Sequence, residues 1–296
     1  MKFGICLASL IGIAASAMSV TARAEDPKDA RCYELRVYYA AEGKLDDLNS
    51  RFRDHTTKLF KKHGITNIGY WTPVENPDRK LYYILAYPSR DAREASWKAF
   101  VADPDWVAAK DQSEKNGRLV LKVDSTFLHT TGFSPEVKSS MSKEPRLYEL
   151  RTYTASPGNL DRLLKRFQDH TMGLFKKHGV TNFGYWVLDK DQKGAEETLV
   201  YMLIHKSADA KAESNKAFAA DPEWKMAMQE SEKEAGGSLT AKDGVKSVLM
   251  NPTDYSKSKW SCSIETKGIG QLSDPFINVG ENPCQLHRPK LRTRFL

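Results

Sequence analysis

Two histidines, His55 and His170, are the side chains best suited to chemistry by their type and surroundings. Each lies in an Asp-His-Thr triplet, three residues after a Phe and four before a Leu. In a helix this spacing predicts a ring on the apolar side, directed toward a sheet. An imidazole in that position can act as a general acid or base near neutral pH. The alternative is a structural histidine that bonds to a strand or to its neighbours Asp54 and Thr56.

A second group of candidates shares one face of a predicted strand in each half of the chain: Glu34, Arg36 and Tyr38, and Glu149, Arg151 and Tyr153. Charged groups on an inner strand need partners. If the Tyr33 face of the strand meets the helices, the Glu/Arg/Tyr face points into a barrel between the two halves. It then forms either a salt-bridge network between the halves or a polar pocket for an anionic or phenolic ligand.

Tryptophans at matching positions are the third group: Trp71, Trp106, Trp186 and Trp224, accompanied by Tyr70 and Tyr185. Their positions predict packing of helix against sheet. The alternative is that they line a cavity for an apolar ligand, with Trp71 and Trp186 as its binding residues. Trp97 is replaced by Asn215 in the second half. This difference predicts one open, functional cavity and one filled cavity.

Several common catalytic signatures do not occur in the sequence. There is no Gly-rich phosphate loop, no Gly-x-Ser-x-Gly, no His-Glu-x-x-His and no Cys-x-x-Cys. Nucleotide-dependent, hydrolase and zinc functions therefore lose their usual support, and we predict no metal site.

The basic charge of the chain gives little support to nucleic-acid binding. The formal net charge is +7, and residues 1–24 carry two of those charges, on Lys2 and Arg23. From Lys257 onward, seven Lys and Arg face three Asp and Glu. The two halves together are close to neutral, so we expect no nucleic-acid partner.

The first residues have the pattern of a cleavable secretory signal. Lys2 precedes an apolar run from Phe3 to Val20, and Ala22-Arg23-Ala24 places small residues before the predicted cut. No later segment is long and apolar enough to span a membrane. We therefore expect an exported protein, periplasmic or secreted. After cleavage Cys32 is predicted to be buried in a strand, and Cys262 and Cys284 could form a disulfide.

The elements that must position these residues occur twice. The segment Arg31–Trp71 matches Arg146–Trp186, with about two thirds of its positions identical. Each copy predicts the order strand, helix, strand, strand, helix, strand, which is the ferredoxin-like arrangement. Because its helices cover only one face of the sheet, two copies can cover each other.

We therefore predict an α+β fold in which two tandem ferredoxin-like βαββαβ units form an intramolecular, pseudo-dimeric α+β barrel. The predicted organisation is a signal peptide over 1–24, a first repeat over 25–137, a linker over 138–145, a second repeat over 146–256 and an irregular tail over 257–296.

Four segments found in both copies resemble the NIPSNAP family, whose fold is the dimeric α+β barrel. They are Tyr-Glu-Leu-Arg-x-Tyr, the Asp-His-Thr helix ending Leu-Phe-Lys-Lys-His-Gly, the Gly-Tyr-Trp strand and Phe-x-x-Asp-Pro-x-Trp. The resemblance implies a fused pair of family units. The absence of a strong catalytic constellation favours binding of a small apolar or aromatic molecule, or of a protein partner. By analogy with related barrels, the alternatives are a cofactor-independent monooxygenase using His55 or His170, and haem binding by one histidine.

Overall fold

The computed structural model describes residues 29–139, 141–142, 144 and 146–258. The predicted signal peptide and the proposed Cys262–Cys284 pair lie outside the described residues, as does the tail after residue 258. Among the described residues, Cys32 is free and buried, as predicted. No described helix is long and apolar enough to cross a bilayer.

Both repeats have the predicted order of elements. The strands of the first are β1 Cys32–Ala40, β2 Thr66–Pro73, β3 Lys80–Tyr87 and β4 Val120–Thr130, and those of the second are β5 Leu147–Ala155, β6 Thr181–Leu188, β7 Thr198–His205 and β8 Thr240–Pro252. The α-helices are α1 Leu45–Arg51, α2 Thr57–Lys62, α3 Arg90–Val101, α4 Pro104–Ser113, α5 Leu160–Arg166, α6 Met172–Lys177, α7 Ala208–Ala220 and α8 Pro222–Ala235.

The eight strands close into one barrel in the order β1-β3-β2-β8-β5-β7-β6-β4. Each repeat supplies four neighbouring strands, and the antiparallel pairs β2–β8 and β4–β6 join the two sheets. Closure leaves no free sheet edge between the repeats. The predicted intramolecular α+β barrel is therefore confirmed.

The faces of the strands are the reverse of those predicted. Tyr33, Leu35 and Tyr148 lie in the barrel core, together with Trp71 and Trp186, which are fully buried. Glu34, Arg36 and Tyr38 instead face the helices of their own repeat. Alternation fixes which residues share a face, but not which face meets the helices. The helices supply charged partners for this face, as shown below, whereas the barrel core is a cluster of hydrophobic side chains.

The Gly-Tyr-Trp strand contributes side chains to both faces of the sheet. Trp71 and Trp186 point into the barrel, whereas Tyr70 and Tyr185 pack under the helices. The prediction that Trp71 and Trp186 pack helix against sheet is therefore wrong. A Cβ on Gly184 would lie 2.5 Å from Cη2 of Trp186, so the ring folds over a position that must lack a side chain. Gly69 has the same relation to Trp71.

Helix ends follow the residues that the sequence offers for them. The Ser89 hydroxyl accepts from the backbone N–H of Ala92 and begins α3. Asp103 caps α4, whose first residue is Pro104. Gly64 has a φ of 75°, which ends the helix in the left-handed region.

Each repeat also sends a short segment across the other. Tyr255, which follows β8, stacks on Phe52 of the first repeat, and the Ser256 hydroxyl accepts from the N–H of Tyr70 at 3.0 Å. Phe133 and Ser134, which follow β4, contact the second repeat: Phe133 packs on Tyr185, and the Ser134 hydroxyl accepts from the N–H of Tyr185 at 3.0 Å. These reciprocal contacts add to the strand pairing that holds the two halves together.

Candidate functional site

A π-helical turn redirects the two candidate histidines. Residues Phe52–Thr56 form one π turn between α1 and α2, and the Thr56 hydroxyl donates to the Arg51 carbonyl at 3.2 Å. The turn buries Thr56 and leaves His55 exposed. The second repeat repeats this turn at Phe167–Thr171, where His170 is half-buried. The predicted direction toward the sheet is therefore wrong for His55. The prediction for both rings rests on 3.6 residues per turn, and the π turn departs from that spacing in both repeats.

His55 borders two open hollows on the outer side of the first repeat, of about 330 and 450 Å³. Asp54 and Gln112 line both of them. The ring thus has polar neighbours but lies in contact with solvent. An exposed imidazole does not have the water-excluded surroundings that strengthen acid–base catalysis.

The histidines at the helix ends connect two helices. Nε2 of His63 lies 2.6 Å from Oδ2 of Asp103, the carboxylate that caps α4. His178 and Asp221 repeat this contact at 2.7 Å. Hydrogen bonds from the neighbouring lysines and from these histidines, together with the charge of the lysines, hold the pKa of Asp103 and Asp221 well below its usual range. This arrangement accounts for the repeated Lys-His-Gly segment as part of the fold.

In the first repeat the strand charges form a closed network. Glu34, which is fully buried, accepts from both Arg36 and Arg93, and also from Tyr87 at 2.8 Å and Ser125 at 2.6 Å. Burial acts to raise the pKa of Glu34, but the hydrogen bonds and charges of the two arginines lower it to about 2. The network lies within one repeat, so the predicted salt bridge between repeats is wrong for these residues.

Trp97 covers that network from α3. Its Nε1 donates to the Tyr87 hydroxyl at 2.8 Å, and the Arg36 guanidinium lies 4.3 Å from the centre of its ring. Its ring also contacts Phe60 and Phe100 at 5.5 Å between centroids. The space between the sheet and the helices of the first repeat is filled at this point.

In the second repeat the same carboxylate has other partners. Glu149 accepts from His205 at 2.9 Å and from Ser247 at 2.6 Å, and its Oε1 lies 3.5 Å from Nζ of Lys211. Burial acts to raise the pKa of Glu149, but these hydrogen bonds and the charges of Arg151 and Lys211 lower it to about 2. Nε of Arg151 is 3.9 Å from the carboxylate and is buried without a hydrogen-bond acceptor among the described residues.

The second repeat therefore has an open cavity where the first has Trp97. The cavity has a volume of about 340 Å³ and lies between the sheet and the helices, with Asn215 on its wall. Apolar groups form most of the wall, namely Phe167, Phe175, Phe218, Trp224, Met228 and Val245. Arg151, Tyr153, Arg166 and Glu232 supply the polar groups.

This cavity brings together only part of the predicted site. Arg151 and Tyr153 line it, whereas Glu149 lies behind Arg151. Their counterparts Glu34, Arg36 and Tyr38 belong to the filled site of the first repeat. Trp71 and Trp186 lie in the barrel core, and neither His55 nor His170 borders the cavity.

Two residues that contact Glu149 beside the cavity, His205 and Lys211, are not among the candidates predicted from the sequence. His205 replaces Tyr87 and Asn215 replaces Trp97, so the two residues joined by a hydrogen bond in the first repeat are both changed in the second. The signal that could have found them is this paired difference between aligned copies.

The described residues do not fit haem at this cavity. No histidine is among the residues that line it. His205, the nearest in the network, is buried and directs Nε2 to Glu149. An axial histidine must present a free nitrogen to the iron.

The NIPSNAP family model matches residues 33–135 and 148–257, one match for each repeat and together well over half of the chain. The chain belongs to the NIPSNAP family. No curated protein matches it at a significant level.

Solved structures with a similar fold include two NIPSNAP proteins. A NIPSNAP domain protein of Burkholderia xenovorans is 22% identical, with coverage of 36% of this chain and 99% of its own and a TM-score of 0.32. One from Agrobacterium tumefaciens is 23% identical, with coverage of 38% and 94% and a TM-score of 0.31. A protein of Lactobacillus acidophilus, provisionally described as a monooxygenase, is 9% identical over 76% and 94%, with a TM-score of 0.50. At that identity the likeness shows the barrel fold alone.

Proposed function

We propose that this NIPSNAP protein is an exported binding protein, periplasmic or secreted, whose second repeat holds a small apolar or aromatic molecule. The observation that carries the proposal is the cavity of about 340 Å³ beside Asn215. Its volume lies at the lower end of the range for small-molecule sites. Export is supported by the pattern of residues 1–24, which lie outside the described residues.

The first repeat shows that the fold is able to close this space. Protein interiors leave few voids larger than a water molecule, and an unfilled apolar void lowers stability. Trp97 fills the site in one copy, whereas Asn215 leaves it open in the other. The cavity therefore comes from the residues of the second repeat and not from the backbone, which favours a bound molecule as its occupant.

A filled-cavity variant tests the proposal. Asn215→Trp restores the side chain of the first repeat, and Lys216→Trp adds the same ring at the next position, which is exposed and does not border the cavity. Native mass spectrometry of exported protein should show an added mass in the wild type and in Lys216→Trp, and none in Asn215→Trp. Fluorescence titration with the apolar probe N-phenyl-1-naphthylamine covers the case in which the natural molecule is lost during purification.

The results separate binding at this cavity from binding elsewhere. We expect Asn215→Trp to lower the affinity for the probe at least tenfold and Lys216→Trp to leave that affinity unchanged. Equal binding by wild type and Asn215→Trp would contradict the proposal. The oxygenase hypothesis would instead be supported if the protein consumed oxygen in the presence of the bound molecule and if His55→Ala or His170→Ala abolished that consumption. The cavity does not favour this hypothesis, because neither histidine ring borders it.

A further inference from the structure

We infer that the molecule held in the second repeat is an amphiphilic monoanion, with one carboxylate or similar acidic group paired with Arg151 and an apolar body against the aromatic wall. The inference rests on the proposed function and specifies the chemical class of its ligand. Comparison of two arginines that hold the same place in the two repeats, Arg36 and Arg151, carries it.

Arg36 has partners on every side. Its Nε donates to the Tyr83 hydroxyl at 2.8 Å, its Nη1 donates to Glu34, and its plane lies against Trp97. A guanidinium has five N–H donors and no acceptor, so partners of this kind are what a buried arginine needs. No ligand is required to complete this site.

Arg151 has lost these partners. Within the part of the chain that the structure describes, its buried Nε has no acceptor, and the hydroxyl of Tyr201, the counterpart of Tyr83, has no hydrogen-bond partner. Asn215 replaces the tryptophan. The side chain remains only 18% exposed, and it lies 5.1 Å from the ring of Tyr153. A guanidinium that borders a cavity and has a buried nitrogen without an acceptor favours an anion.

The neighbouring carboxylate makes no hydrogen bond to this arginine among the described residues. Glu149 is in contact with Lys211 and His205, and it stands 3.9 Å from Arg151. In the first repeat the corresponding carboxylate bonds directly to both Arg36 and Arg93. The hydrogen bonds of the second carboxylate thus go to His205 and Ser247 on the neighbouring strands, and its contact with the cavity arginine is longer than the one in the first repeat.

A second arginine adds to the positive field of the cavity. Arg166 has a side chain that is 6% exposed and lies 3.7 Å from Glu232, whereas the equivalent pair Arg51–Glu114 is at 3.0 Å. Burial lowers the pKa of Arg166, which indicates that its charge is incompletely compensated. Two arginines and one glutamate line the cavity, so its own charges sum to one positive charge, which one anionic group balances.

The rest of the wall defines the other end of the ligand. Phe175 and Phe218 stack at 4.9 Å between ring centres, and Trp224 lies 4.6 Å from Phe218. Rings of this kind contact flat or branched apolar groups over a large area. A fully polar anion such as phosphate would leave this surface without a partner.

A matched pair of fluorescent probes separates the charge from the apolar body. 1-Anilinonaphthalene-8-sulfonate and N-phenyl-1-naphthylamine share one aromatic frame, and only the first carries an anionic group. We expect the wild type to bind the anionic probe at least tenfold more tightly. Arg151→Met retains the length of the side chain. This variant should lower the affinity for the anionic probe at least tenfold and change the affinity for the neutral probe less than threefold. Asn215→Trp should lower the affinity for both probes.

Displacement from the wild type gives a readout that does not depend on the folding of a variant. Phenylacetate should displace the bound anionic probe at lower concentration than 2-phenylethanol, its uncharged counterpart. If the two displace equally, or if Arg151→Met affects both probes alike, the inference is overturned while binding at the cavity stands. If Asn215→Trp alters neither probe, the proposed function fails, and the inference fails with it.

Discussion

Replacement of Glu34 by Gln tests the buried network of the first repeat. The carboxylate is fully buried and accepts hydrogen bonds from two arginines, whose side chains are only 10% and 16% exposed. Glutamine keeps the shape of the side chain but removes the negative charge. Removal of one partner of a buried ion pair leaves the other charge uncompensated. We therefore expect the free energy of unfolding to fall by about 3–5 kcal/mol.

The pKa of Glu34 gives an independent magnitude. It falls from an ordinary value of 4.5 to about 2 on folding. Each unit corresponds to about 1.4 kcal/mol, so the charged form stabilises the folded state by about 3 kcal/mol at pH 7. Because the folded pKa is the lower one, this contribution is complete above pH 4.5 and is lost as the pH falls toward 2. At pH 3 about 1 kcal/mol remains.

Urea unfolding followed by tryptophan fluorescence at pH 7 and pH 3 measures both effects. The difference between wild type and Glu34→Gln should shrink by about 2 kcal/mol between the two pH values. Glu94→Gln is the control, because Glu94 pairs with the same Arg93 at 2.9 Å but is 66% exposed. Exposed pairs contribute about 0.2–1 kcal/mol, so the control should change little. A deficit that is the same at both pH values would refute the assigned network.

Three further predictions concern other parts of the molecule. Gly184→Ala should destabilise the barrel by about 1–3 kcal/mol in urea unfolding, because the new Cβ would lie 2.5 Å from the Trp186 ring; a neutral effect would show that the ring is free to move. Burial raises the pKa of the Cys32 thiol to about 11. In a variant whose other cysteines are replaced by serine, this thiol should react with a disulfide reagent at pH 8 at least a hundredfold more slowly in the folded protein than in urea. Equal rates in the two states would contradict its burial. His55→Ala should change the midpoint of thermal unfolding by less than about 2 °C, because the ring is exposed; a large shift would place it in the core.

The duplication, the order of the elements and the helix ends could all be predicted from the sequence. Strand alternation, the Ser89 and Asp103 caps and the glycine stop at Gly64 are local properties, so each is determined by neighbouring residues. The closed barrel also followed, because a sheet covered by helices on one face needs a second sheet on the other.

The direction of the key side chains depended on features that no local pattern shows. A single π turn at Phe52–Thr56 moved His55 from the predicted inner face to the surface. The choice between the two faces of β1 depended on Arg93, which lies on a helix 59 residues away from Glu34 in the chain. Both are results of tertiary packing, which decides where an extra residue in a turn and a buried charge are tolerated.

The sequence by itself determined that the two repeats differ at Trp97 and Asn215, and it indicated that one cavity is open and the other filled. Only the tertiary structure decided what that difference means. It places Trp97 against Arg36, and it leaves Nε of Arg151 without an acceptor among the described residues, at the edge of a cavity. The physical reason is that a buried charge needs hydrogen-bonding and ionic partners. The groups that provide or lack these partners come from several elements, which meet only in the folded barrel.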